Sequence, residues 1–108
     1  MNLSNMLTDR IKAQKPVRVG LIGAGKFGSM ILSQARHIEG ISITALADID
    51  IQKAKDSFHR VGWDTSNCFA NSVNDAVVSG KTWLTENASD IFKIPEIECI
   101  VEATGDPL

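Results

Sequence analysis

The 108-residue chain has a formal net charge of −2 and is 44 % hydrophobic, which suits one compact domain and leaves no room for a complete two-domain enzyme. The charge balance and the lack of any Lys/Arg run argue against nucleic acid. No apolar stretch nears the ~20 residues of a membrane span, and Asp9, Arg10 and Lys12 interrupt any signal-peptide core, so a cytoplasmic protein without a membrane partner is expected.

Leu3, Met6, Leu7 and Ile11 recur at helical spacing, so residues 1–15 are expected to hold a leading amphipathic helix, at 3–13, that stops before Pro16. Residues 16–108 then form the domain proper. Residues 17–22 are a short β-branched run with little alternation, the pattern of a parallel strand covered on both faces. A glycine-rich turn follows, and Phe27, Met30, Ile31, Ala35 and Ile38 mark one face of a helix that Gly40 is expected to close. Residues 41–47 read as the second strand, ending at Asp48. Strand, turn, helix and strand in about 30 residues make a βαβ unit. Further on, helices are expected at 51–61, 72–78 and 88–93, and strands at 81–85 and 97–103. The alternation predicts an α/β, Rossmann-type, doubly wound parallel sheet in the order 3-2-1-4.

Gly23-Ala24-Gly25-Lys26-Phe27-Gly28 has the spacing of a dinucleotide fingerprint, and each glycine has its own physical reason. The first permits the tight turn out of the strand. The second lacks a Cβ that would meet a pyrophosphate, and the third lets the helix lie close to the sheet. The first-turn amides of the following helix face the anion. Asp48 ends the next strand about 20 residues after the last glycine, where a carboxylate can accept hydrogen bonds from the adenosine ribose hydroxyls. Helix capping is the competing role for Asp48, although Asp50 is better placed for that. Thr104 and Gly105 follow the last strand, where ligands of open α/β sheets sit.

No catalytic residue and no metal site is assigned. His37 and His59 lack acidic or cysteine partners in register, Trp63 and Trp83 suit core packing, and Cys68 and Cys99 read as reduced thiols. NAD is expected over NADP because Asp48 would repel the extra phosphate, with Lys53 and Lys55 the cations able to offset that repulsion. The pattern leaves open a non-catalytic, NAD-binding redox sensor as a second reading, and it leaves a homo-oligomer open.

With those residues named, the chain resembles the homoserine dehydrogenase-like oxidoreductases that carry a C-terminal SAF domain, a group that includes deoxyxylulose-phosphate reductoisomerase-like enzymes. The likeness rests on the leading helix, on the run from Lys15 to Gly28, and on Ile100-Val101-Glu102-Ala103-Thr104-Gly105-Asp106-Pro107. Ala45-Leu46-Ala47-Asp48 is also similar to the glucose-fructose oxidoreductase group. Either resemblance implies nicotinamide chemistry on a small polar substrate such as a hydroxy acid, amino alcohol, sugar or sugar phosphate. It also implies that a following substrate domain supplies the catalytic residues, so that this part alone would be inactive.

Overall fold

The computed structural model describes residues 16–23, 25–35 and 37–103. The helix expected at 3–13, and Ala24, Thr104 and Gly105, lie outside the described residues. The elements in chain order are β1 (Val17–Ile22), α1 (Lys26–Ala35), β2 (Ile41–Ala47), α2 (Ile51–Arg60), α3 (Val73–Ser79), β3 (Trp83–Thr85), α4 (Ala88–Phe92) and β4 (Cys99–Glu102). All strand pairs are parallel, in a four-stranded sheet of order β3-β2-β1-β4. This is the α/β arrangement the sequence predicts, with crossover helices on both faces. No helix among the described residues is long and apolar enough to cross a membrane.

One face packs Val17, Val19 and Leu21 of β1 and Ile43 and Leu46 of β2 against Leu32 of α1 and Ala54 and Phe58 of α2. The ring of Phe58 meets Trp63 and Phe69 edge-on, at centroid distances of 5.5 and 5.0 Å. Truncating this fully buried ring to alanine costs about 3–5 kcal/mol. On the other face Ile22, Ala45 and Ala47 pack against Ile91 of α4 and Ile94, with Val73 of α3 and Trp83 at the margin.

β2 departs from simple alternation. Val19 pairs with Ile43 but Gly20 pairs with Ala45, so Thr44 is an extra residue without a partner on β1. The bulge turns Ile43 and Leu46 toward the same core, three positions apart. Among the described residues the buried Thr44 hydroxyl has no hydrogen-bond partner.

The helices at 51–60, 73–79 and 88–92 fall within one residue of expectation, and the larger differences are at α1, β3 and β4. α1 ends at Ala35 rather than continuing to Ile38: the amides of His37 and Ile38 donate three residues back, to Gln34 and Ala35, in a tightened last turn. Gly40, at φ +87°, belongs to the next turn, where its carbonyl accepts from Val17. β3 begins at Trp83, since Thr82 makes only a bridge to Phe69, and β4 runs only from Cys99 to Glu102.

Candidate functional site

Three backbone hydrogen bonds tie the carboxyl ends of the strands together. Gly23 donates to Ala47 at 2.7 Å, Asp48 to Thr85 at 3.0 Å and Ala103 to Ile22 at 2.7 Å. The turn after β1 therefore emerges beside the end of β2.

The three glycines of that turn stand in different surroundings. Gly23 has φ +93°, a conformation that side chains with a Cβ rarely adopt. A Cβ on Gly28 would overlap the Gly23 carbonyl oxygen and lie 3.8 Å from the Ala103 methyl, so the first turn of α1 can approach the sheet only without one. Gly25 has neither constraint. Its φ lies outside the left-handed range, and a Cβ built there meets nothing within 4 Å.

Gly25 opens α1, because its carbonyl accepts from Ser29 at 2.8 Å. The amides of Lys26, Phe27 and Gly28 that precede this bond have no acceptor within the helix, and α1 carries no acidic residue in its first turn. Its positive dipole end is thus uncompensated by a local carboxylate.

Ile22, Gly23, Gly25, Ala47, Asp48 and Lys53 surround a cleft of about 230 Å³, with Ile49, Glu86 and Ala88 at its border. The Asp48 carboxylate accepts from the Asp50 amide at 2.9 Å, a local turn that fixes its direction. Capping of α2 falls to Asp50, whose side chain accepts from the Lys53 amide at 3.1 Å. The competing cap role for Asp48 is thereby taken by its neighbour.

Lys53 also borders a second groove, of about 630 Å³, that runs from Gly25 between α1 and α2. At its far end the Arg60 guanidinium donates to the Ser29 hydroxyl at 3.0 Å and to the Ser57 hydroxyl at 3.3 Å. Lys55 points elsewhere, with its ammonium 6.0 Å from the centre of the Phe69 ring. Of the two lysines considered from sequence, only Lys53 borders the cleft. Glu86 was not singled out from sequence, because nothing local marks the residue after β3 as facing the end of β2.

The remaining candidates lie away from this cleft. His37 and His59 are exposed, and the Trp63 ring nitrogen donates to the Leu32 carbonyl at 3.1 Å, which ties α1 to the loop after α2. Cys68 and Cys99 are free thiols. Burial pushes the Cys68 thiol above its usual pKa and the Asp64 charge adds to this, so it stays protonated near neutral pH. Neither a scan against protein-family models nor a search of curated proteins returned a match to this chain.

Proposed function

We propose that this chain is the dinucleotide-binding domain of an NAD(P)-dependent oxidoreductase, with NAD preferred and a small polar molecule as the substrate of the complete enzyme. The observation that carries this reading is Gly25. Among the described residues, neither its backbone conformation nor any neighbouring atom calls for glycine there, yet the position opens α1 and borders the cleft with Asp48. A position that the described fold leaves open beside the cleft is one where a ligand could approach the backbone closely.

The residues fit a dinucleotide. The first-turn amides of α1 would take the pyrophosphate, and the missing Cβ at Gly25 lets it approach the backbone. Asp48, held by the Asp50 amide, would accept from the ribose hydroxyls, since each carboxylate oxygen has two lone pairs. The bound nicotinamide supplies hydride transfer, and the chain's own residues supply position and electrostatics. The resemblance to homoserine dehydrogenase-like enzymes supports the same reading.

Calorimetric titration of the chain with NAD and NADH, beside a melting curve, tests the proposal through Gly25→Val. The expected result is loss of binding with little change in Tm, since the substituted side chain has open space to enter. Unchanged affinity in the variant, or no binding by the native chain, overturns it.

A further inference from the structure

The groove between α1 and α2 shares only Gly25 and Lys53 with the cleft, and its far end holds a guanidinium in a fixed position. Arg60 is exposed, yet its Nη2 donates to the Ser29 hydroxyl at 3.0 Å and to the Ser57 hydroxyl at 3.3 Å, one on each helix. Both serines are themselves more than nine-tenths buried. The charged end of an exposed side chain is thus anchored at two points inside the groove.

The partner that Arg60 would ordinarily take lies on its own helix and is not used. Asp56 stands four residues before it, the spacing at which opposite charges pair on a helix surface. Its carboxylate instead accepts from the Gln52 side-chain amide at 3.0 Å, and Arg60 makes no ion pair among the described residues. Nη2 uses both of its hydrogens on the serines, which leaves those of Nη1 and Nε without a partner among the described residues. Two neutral hydroxyls orient a cation without neutralising it. Lys53, two helical turns earlier on the same face of α2, likewise makes no ion pair among the described residues.

From this geometry we propose that the Arg60 end of the groove is a binding site for the dianion of a small phosphate monoester, separate from the dinucleotide. Arg60 donates to phosphate oxygens through its remaining N–H groups, and Lys53 adds a second positive charge along the same face. The groove of about 630 Å³ has room for the rest of such a molecule, whose hydroxyls would donate to Gln52 and Asp56. The position is distinct from that of the cofactor. Ser29 lies one helical turn, about 6 Å, along α1 from Gly25, and of the two cations only Lys53 borders the cleft.

Two carboxylates also line the groove. Asp50 is at the start of α2, where it caps the helix, but Asp56 is one turn from Arg60 and opposes an anion there. Removing that charge should therefore strengthen binding, which gives the test a sign.

Titration of the full chain with glycerol 3-phosphate at constant ionic strength, followed by backbone amide NMR shifts, tests the proposal. Saturable shifts centred on Ser29, Ser57 and Arg60 are expected, with none from glycerol at the same concentrations. Arg60→Gln should weaken binding at least about tenfold with Tm nearly unchanged, Arg60→Lys should restore part of the loss, and Asp56→Asn should tighten binding about threefold. No saturation, shifts confined to the Gly23–Gly28 turn, native affinity in Arg60→Gln or weaker binding in Asp56→Asn each overturn it. Saturating NADH or NADPH should leave glycerol 3-phosphate in place, and its displacement by either one would give Arg60 to the cofactor and overturn the separate site. The first titration contains no cofactor, so its failure leaves the dinucleotide reading standing.

Discussion

At the carboxyl ends of β1 and β2 the molecule presents backbone amides, a carboxylate and a lysine around a cleft of about 230 Å³. At the amino ends, on one face, it presents Val17, Ile38 and Val101 around a groove of about 260 Å³. The volumes are similar but the demands differ. Hydrogen bonds to a small anion are directional, so single atoms decide whether the cleft works. Apolar burial scales with area and has no direction, so the groove tolerates one aliphatic side chain in place of another.

The sharpest test of this contrast is at the cleft's supporting wall. Gly28→Val puts a side chain into the Gly23 carbonyl, and backbone at a strand end cannot move aside as a flexible side chain can. The cost should reach or exceed the ~3 kcal/mol upper end of ordinary overpacking, a fall in Tm of about 15 °C for a domain of this size. A melting curve reads it directly. A fall of only a few degrees would mean that α1 does not rest on the turn as described.

Three residues away the expected sign reverses. Gly25→Ala meets nothing in the fold and restricts the unfolded chain, so it should raise stability by about 0.4–1 kcal/mol. The same methyl group stands where a pyrophosphate would approach, so NADH affinity should fall while Tm rises. Calorimetry beside thermal melting measures both on one sample, and a rise in both would break the link between Gly25 and the ligand.

This pair of glycines also marks where the sequence was informative. The spacing Gly-x-Gly-x-x-Gly, a β-branched run before it and an aspartate after the next strand are local signals, and the βαβ unit with its 3-2-1-4 sheet follows from them. Contacts between distant segments leave no such trace. Gly20 looks like an ordinary strand residue, yet a Cβ there would stand 2.6 Å from Ile91 and 3.0 Å from Ile97. The bulge at Thr44 is likewise hidden, because Ile-Ser-Ile-Thr-Ala reads equally well as plain alternation. The end of α1 was misplaced because Ile38 keeps the helical period after the helix has stopped, and its side chain borders the groove.

Cofactor choice tests the same cleft, and Asp48 should dominate it. The ribose phosphate of NADP carries a charge near −2, and each unit pair at ~4 Å costs about 1 kcal/mol even with the dielectric of water. Two such pairs exceed the 1.4 kcal/mol that separates affinities tenfold. The native chain should therefore bind NAD at least about tenfold more tightly than NADP, and Asp48→Ala should remove most of that ratio. Dissociation constants for both cofactors measure it, and a ratio unchanged in Asp48→Ala would take the carboxylate away from the ribose.

Lys53 acts against Asp48 in the same cleft and gives the smallest expected effect. Its ammonium makes no hydrogen bond or ion pair among the described residues, so it is free to turn toward a phosphate beside Asp48. The residue is exposed, and exposed ion pairs are worth about 0.2–1 kcal/mol after side-chain ordering and screening. That is less than the repulsion from Asp48, so the lysine should narrow the preference for NAD without reversing it. Lys53→Ala should then leave NAD affinity unchanged and weaken NADP binding by no more than about fivefold, with the difference shrinking as salt is raised. Titrations of both cofactors into both chains at low and high ionic strength measure this. If Lys53→Ala abolishes NADP binding, or the native chain holds NADP as tightly as NAD, the cation outweighs the carboxylate, and Asp48 would then face away from the ribose.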